Sequence, residues 1–323
     1  MKYITVSAPG KLMLLGEHAV VYNHPCLVTA VGQRMRVTAA IDERSNFTLV
    51  AKNVGIHGHE KPMSDLGKGN VEKNVRFVEI AVKNFAEKFP FKEGVRIETT
   101  SEFSSHLGFG SSSAVTVCMI KALSELFSVK LENKEIFELA YKTVLDIQGK
   151  GSGFDIAAAI YGGTLYFVTG GKEIKQLAIK NLPMVVGYSR VKADTVVLIN
   201  KVAEVSKKYP VVVDSMYRNI EKIVKLGAKA LREKDWITFG QLMNMNQGFL
   251  ESLGVSTWRL SSMIYAARDA EAYGAKLSGA GGGDCMIAFT SDEKKQGVID
   301  AITRAGGEYI DVATNVEGVR IEI

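Results

Sequence analysis

Cysteine is scarce and unpatterned in this chain: Cys26, Cys118 and Cys285 are odd in number, far apart, and in no CxxC or Cys/His arrangement. That excludes a disulfide framework and a zinc centre, and it fits a reducing, cytoplasmic setting. No run approaches the ~18 apolar residues of a membrane span. The opening stretch, MKYITVSAPGKLMLLGEHAVV, is interrupted by Pro9, Gly10, Lys11 and the Glu17-His18 pair, so it lacks a signal peptide's unbroken apolar core. Clustered positive charge is missing too. Lys+Arg 40 against Asp+Glu 35 leaves a net +5 scattered along the chain, which argues against nucleic acid and suits an anionic small molecule. There is no internal repeat and no low-complexity tract. What remains is 323 residues, 46% hydrophobic and 23% charged, a balance that excludes disorder, collagen and coiled coil. At about 150 residues per domain the length suggests two.

Periodicity divides the chain into mixed elements. Tyr3 to Val6 and Leu12 to Leu15 read as strand, turn, strand around SAPGK, and Val28 to Ile41 as a further strand. Residues 43–70 suggest a hairpin and a loop, and Val71 to Phe89 a helix closed by Pro90. Val95 to Thr99 is a short strand. Ala114 to Phe127 is apolar almost all round, the mark of a buried helix. Glu132 to Ile147 and Ile156 to Ile160 have helical spacing, and Thr164 to Val168 reads as a strand. Composition shifts between Lys172 and Pro183. Beyond it, Met184 to Tyr188 and Ala193 to Ile199 read as strands, and 211–232, 235–253 and 257–273 as helices. The end reads as strand, loop, strand, then a helix over 293–305 and a last strand in VEGVRIEI.

Three small-residue loops stand out: SAPGKLMLLGEH (7–18), LGFGSSSA (107–114) and KLSGAGGGDC (276–285). Glycine lets a backbone approach a ligand, and successive N–H groups cradle an anion. In the middle loop, Ser111, Ser112 and Ser113 sit where a buried helix begins, so hydroxyls, unpaired N–H groups and the positive helix end converge on one phosphate site. Such loops also cap helices and turn corners without any ligand. The usual phosphate signatures fail: there is no GxxxxGK[ST], GAGGGD lacks the final glycine of a dinucleotide fingerprint, and protein-kinase HRD and DFG sequences are missing.

In this order the loops resemble those of the GHMP kinases, small-molecule kinases named for galactokinase, homoserine kinase, mevalonate kinase and phosphomevalonate kinase. The likeness spans nearly the whole chain, through SAPGKLMLLGEHAVVYNHP, GFGSSSAVTVC, GSGFDIAAAIYGG and KLSGAGGGDCMIAF. It implies an α+β GHMP kinase fold, with an N-terminal domain like ribosomal protein S5 domain 2 over 1–178 and a ferredoxin-like C-terminal domain over 179–323. It also implies ATP phosphates over GFGSSSA, an acceptor in the cleft between domains, and a homodimer. Within the family, GEHAVVY and NMNQGFLESLGVST are similar to mevalonate kinases, whereas QGKGSGFD and GGGDC are similar to phosphomevalonate kinases.

Carried over residue by residue, the resemblance implies that Asp155, closing GSGFD, takes the acceptor's proton, and that Lys11 lies beside it as electrostatic partner. Read locally, Asp155 serves equally well as N-cap of a helix starting at Ile156, and a lysine on a turn is ordinarily a solvated charge. Gly108, Gly110, Ser111, Ser112, Ser113, Gly279, Gly281 and Gly282 would hold the nucleotide. Gly283 would pack with them, and Ser278 would add a hydroxyl. Asp284 would organise its own loop, because a carboxylate repels phosphates. Glu17, His18 and Ser152 would contact the acceptor. Ser112 matches the serine that binds Mg²⁺. Mevalonate kinases usually carry a second metal ligand, a glutamate, at the position of Val144 here, and Asp146 is the available substitute. His24, His57, His59 and His106 fit no motif and read as structural. The expected activity is ATP- and Mg²⁺-dependent phosphorylation of the primary hydroxyl of mevalonate to 5-phosphomevalonate. The alternatives are a phosphomevalonate kinase, with Arg190, Lys192 and Lys201 as candidate phosphate contacts, a sugar or polyol kinase, and a nucleotide-binding sensor without turnover.

Overall fold

The computed structural model describes residues 3–104 and 107–322; His106 lies outside them. The two apolar runs at the start form one strand, β1 (Tyr3–Leu15). Pro9 does not end it, because the pairing slips at Pro9/Gly10, where two residues of β2 are taken up, and again at Met13/Leu15, where one residue of β1 is, without breaking the strand. Its partner β2 (Pro25–Asp42) is antiparallel to it and long enough to serve two further neighbours. Next in the chain are β3 (Asn46–Ala51), β4 (Ile56–Pro62), helix α1 (Arg76–Lys88) and β5 (Gly94–Ser101). Then come α2 (Ser111–Leu126), α3 (Asn133–Gln148), α4 (Phe154–Tyr161), β6 (Thr164–Val168) and β7 (Glu173–Leu177). The second half of β2 pairs with β5 and its first half with β6, which opens the sheet into two wings. Buried α2 packs on β1 and β2, with every residue from Ser113 to Ile120 inside, as its all-round apolarity predicts.

The later part of the chain is β8 (Met184–Tyr188), α5 (Thr195–Lys208), α6 (Pro210–Glu233), α7 (Trp236–Ser252), α8 (Trp258–Asp269), β9 (Gly274–Ser278), β10 (Cys285–Phe289), α9 (Lys295–Arg304) and β11 (Glu308–Ile310). Its antiparallel sheet has the order β11-β8-β10-β9. That is the β-α-β-β-α-β arrangement of a ferredoxin-like unit with extra helices in the first crossover. Two of those helices join the halves. α6 packs on β1 and β2, and α7 packs on both α6 and β9. At Gly240 the approach is so close that a Cβ would lie 2.3 Å from the Tyr273 carbonyl oxygen.

A further segment departs from the sequence reading. Ala193–Ile199 is not a strand: Asp194 caps α5 by accepting from the Val196 and Val197 N–H groups at 3.0 and 3.2 Å. The Thr-Val-Val run favours a strand locally, but a cap and the absence of a sheet neighbour override that preference. The final strand β12 (Arg320–Glu322) returns to the first sheet and pairs with β1. Buried Arg34 holds this return. It donates to Ser7 Oγ at 2.6 Å, to the Gly318 carbonyl at 2.7 Å and to the Glu317 carbonyl at 3.2 Å. Among the described residues no helix is long and apolar enough to cross a membrane.

Candidate active site

The middle loop ends in Gly110, the N-cap of α2, at φ +77°, with no side chain capping the helix. Ser111 and Ser112 are half-buried and Ser113 buried in the first turn. The helix therefore presents uncapped N–H groups and hydroxyls at one mouth, the arrangement that favours an anion. Gly110 separates the two charged residues singled out in the sequence. A Cβ there would lie 3.1 Å from Lys11 Cε and 3.5 Å from Asp155 Cβ. We expect Gly110→Ala to cost about 1–2 kcal/mol, the penalty of a left-handed non-glycine residue. A lowered urea midpoint would register it.

Lys11 is 8% exposed; its Nζ donates to the Gly108 carbonyl at 2.8 Å and lies 5.3 Å from the Phe154 ring centre. Its own N–H donates to the Phe109 carbonyl, so strand and loop are joined twice. No carboxylate pairs with Lys11 within 4.0 Å among the described residues. Asp155 does not cap α4: Gly153 occupies that position at φ +90°, and Asp155 lies in the first turn, half-buried, near its neighbour's N–H (3.2 Å from Ile156). The local alternative for Asp155 is thereby removed. Beneath this group lies Cys26, whose thiol is pushed up by burial; the charges of Glu17, Asp155 and Lys11 all reach it. One buried atom thus feels three side chains drawn from two of the sequence motifs.

The third loop closes the group from the other half. A Cβ at Gly108 would lie 2.6 Å from Asp284 Oδ2, and Asp284 Oδ1 accepts from the Ala193 N–H at 3.0 Å, so this carboxylate ties the third loop to the segment that leads into α5. The glycines differ in use. Gly279, at φ +102°, has open space where a side chain would stand. Gly281 packs on the Val255 carbonyl and Gly282 on Leu198, and the Gly282 N–H already donates to Val255 at 2.7 Å. Both shape the loop, and the Gly282 N–H is taken up within the protein. Ser278, 7% exposed, is also committed: it accepts from the Met13 N–H at 3.0 Å and donates to the Met13 carbonyl at 2.9 Å, which pins β9 to β1.

Glu17 is 1% exposed and ion-paired with Lys276, itself fully buried in β9. Burial pushes the carboxyl up and the ammonium down, and each charge partly restrains the other's shift. The pair braces the turn through Oε1, while Oε2 of the same carboxylate is buried without a hydrogen-bond partner among the described residues. His18, 5% exposed, donates from Nε2 to the Ala280 carbonyl at 3.0 Å, and burial pushes its pKa down, so the ring is neutral near pH 7. Ser152 is 6% exposed, in the loop before Asp155. Sequence reasoning missed the supports. Lys276 was legible as a charge inside an apolar strand. Asn246 and Gln247 of α7 had no signal beyond their motif; they accept from the Gly16 and Leu277 N–H groups at 3.1 and 3.0 Å, so one helix holds the first and third loops together.

The metal positions divide. Ser112 stands in the first turn at the α2 mouth. Val144 is buried beneath Gly151 and supplies no ligand. Asp146 is committed elsewhere, accepting from Asn84 at 2.9 Å and Lys142 at 2.6 Å. Burial raises its carboxyl, but these bonds outweigh that and hold it below the usual range. No group of three or more His, Cys, Asp or Glu that could hold a metal occurs among the described residues. Of the three candidate phosphate contacts, Arg190 faces Glu308 at 3.5 Å, whereas Lys201 bonds the neutral Gly254 carbonyl at 2.6 Å and pairs with no carboxylate, and no carboxylate lies within 4.0 Å of Lys192 among the described residues. His24 pairs with Glu221 at 2.6 Å, and His59 lies 3.8 Å from Glu79, both outside this group.

Comparison with known proteins agrees with this geometry. The model of the GHMP kinases N terminal domain matches residues 76–163, and that of the GHMP kinases C terminal matches 228–308. A mevalonate kinase of Thermococcus sibiricus is 35% identical over 330 residues, covering 99% of this chain and 98% of its own. The crystal structure of Methanococcus jannaschii mevalonate kinase superposes with a TM-score of 0.82 at 25% identity, covering 97% of this chain and 98% of that one. A Streptococcus pneumoniae phosphomevalonate kinase, in complex with phosphomevalonate and AMPPNP, shares the fold with a TM-score of 0.81 at 17% identity, over 97% of this chain and 100% of that one. With three loops meeting at one helix mouth and both domain models matched in order, the chain belongs to the GHMP kinase family.

Proposed function

We propose that this chain is a mevalonate kinase, transferring the γ-phosphoryl group of ATP to the primary hydroxyl of mevalonate to give 5-phosphomevalonate. The observation that carries the reading is the juxtaposition at Gly110, where the α2 mouth lies between Lys11 and Asp155. Phosphoryl transfer needs little covalent chemistry from the protein; it needs an acceptor oxygen held in line, a place for its proton, and positive charge around the phosphates. The N–H groups and serine hydroxyls of the first α2 turn bind the β- and γ-phosphates. Asp155 Oδ takes the hydroxyl proton as the new O–P bond forms. Lys11, which has no carboxylate partner of its own, offsets charge on the transferred group. His18 and Ser152 line the acceptor side, with His18 fixed by its bond to Ala280.

A Mg²⁺ ion fits one protein hydroxyl, Ser112, with nucleotide phosphates and water completing its shell, since this ion commonly takes few protein ligands. When bound it supplies neutralising charge on the phosphates. Neither Val144 nor Asp146 is a partner for it. The three cysteines are buried and free, in keeping with a cytoplasmic enzyme.

The mevalonate reading is favoured over phosphomevalonate because a mevalonate kinase is 35% identical over 99% of this chain, whereas the phosphomevalonate kinase that shares the fold is 17% identical. Of the candidate phosphate contacts, Arg190 faces a carboxylate, while Lys192 and Lys201 do not. The test is ADP release with ATP and Mg²⁺ against mevalonate, 5-phosphomevalonate, galactose and homoserine. Mevalonate is expected to give the highest kcat/KM by at least about a hundredfold, roughly what two lost charged contacts would be worth. Preference for 5-phosphomevalonate would overturn the reading. ATP binding without turnover on any acceptor would replace it with a nucleotide sensor.

A further inference from the structure

We propose that Lys150 is a specificity-determining residue that binds the carboxylate of the acceptor. The inference rests on the mevalonate reading and deepens it. That acceptor carries its reacting hydroxyl and its carboxylate at opposite ends of one short chain, so a site that aligns the hydroxyl on Asp155 must also manage a negative charge a few carbons away.

Lys150 stands in the loop 149–153, which delivers Asp155 into α4. Tyr141 donates its hydroxyl to the Gly151 carbonyl at 2.8 Å, the Gly170 N–H donates to the Ser152 carbonyl at 2.8 Å, and the Gly149 N–H donates to the Leu145 carbonyl at 2.8 Å, so the loop is pinned before and after Lys150. Gly151 rests against Val144, where a Cβ would lie 3.5 Å from Cγ1. Gly149 and Gly153 bound the loop at φ +71° and +90°, conformations that glycine adopts without strain. Lys150 is therefore held at a set distance from Asp155.

Its charge is not answered. Lys83, Lys121, Lys142 and Arg190 each face a carboxylate. Lys150 has none within 4.0 Å among the described residues, and its Nζ bonds only the neutral side-chain amide of Asn200 on α5. That helix belongs to the other half. Its Leu198 lies against Gly282 of the third loop, its Lys201 holds the Gly254 carbonyl, and of its residues Val202 alone is buried. A lysine that reaches from the Asp155 loop to this helix crosses the space between the two halves. Exchanging a neutral amide oxygen for a carboxylate oxygen there turns a bond with one ionised partner into an ion pair with both partners charged, stronger than the one it replaces. Lys11, which also lacks a carboxylate partner, lies at the α2 mouth and serves the phosphate end, and Lys201 is spent on the Gly254 carbonyl of its own half. The two lysines thus divide the two anions.

The experiment compares mevalonate with 3-methylpentane-1,3,5-triol, the same alcohol without the carboxylate, in the intact protein and in Lys150→Met and Lys150→Arg. In Lys150→Met the ratio of kcat/KM for mevalonate to that for the triol is expected to fall about 10–100-fold, the worth of one hydrogen bond to a charged group. The loss should appear in the mevalonate KM, and Lys150→Arg should recover most of it. Equal losses on acid and triol would overturn the proposal by showing that Lys150 only shapes the Asp155 loop, as would an unchanged mevalonate KM. If the intact protein turns over 5-phosphomevalonate alone, the parent reading falls. Lys150 is then decided on that acceptor, which keeps its carboxylate: a 10–100-fold rise in its KM in Lys150→Met supports the assignment, and an unchanged KM overturns it.

Discussion

Asp155→Asn is expected to lower kcat on mevalonate by about 10²–10⁴-fold, the range typical of a removed general base, while the KM for ATP stays within about twofold. The substitution suits the question because it keeps size and polarity. Asparagine can still accept from the neighbouring Ile156 N–H, and the cap of α4 belongs to Gly153, so the helix has no reason to shift. In the proposed arrangement the nucleotide is held by the N–H groups and hydroxyls of the first α2 turn, donors that Asp155 does not supply. A loss confined to kcat assigns the proton to this carboxylate; a variant as active as the parent withdraws it from the mechanism.

The second large effect is on stability. Lys276→Met leaves Glu17 buried without its cation, and removing one member of a buried pair typically costs about 3–5 kcal/mol. The pH dependence separates this cause from lost packing. Burial already raises the Glu17 carboxyl above its ordinary value, with Lys276 working against that rise. Without the lysine the folded-state pKa climbs further, while the unfolded value stays near the ordinary one. Between the two the folded protein binds more protons, so stability of the variant rises as pH falls through the folded-state pKa. The deficit relative to the parent should be smaller at pH 5 than at pH 8 in urea unfolding. Glu17→Gln combined with Lys276→Met should recover much of the loss at pH 8 and remove the pH dependence. A deficit of equal size at both pH values would mean that Glu17 was not the group left uncompensated.

Much of the site was legible in the chain because each requirement is local. A left-handed cap at the start of a buried helix needs glycine, and Gly110 together with Ser111, Ser112 and Ser113 stated it. The apolar circumference of α2 announced its burial. Where the local signal failed, a distant partner decided. The Thr-Val-Val run at the start of α5 promised a strand, but no sheet edge was offered and Asp194 capped a helix. Pro9 and Gly10 promised a turn, but β2 runs past them and the strand carries on through a bulge. Asp146 was the natural substitute for a missing metal ligand until Lys142 and Asn84 took it.

Glu17 is the sharpest instance. In the sequence it stands beside His18 as a free acid at the edge of a motif. Its partner, Lys276, lies 259 residues away and arrives only because β9 is stapled to β1 through Ser278 and Met13. No spacing rule links residues so far apart. The chain alone settled the backbone requirements of three loops, the burial of α2 and the kinds of side chain beside them, since these follow from steric freedom and hydrophobicity over a few residues. Folding settled which charges are answered and which are left open: Glu17 neutralised, Asp146 spent, Lys11 and Lys150 without a carboxylate. Charge compensation depends on distance in space, and only the packed structure sets that.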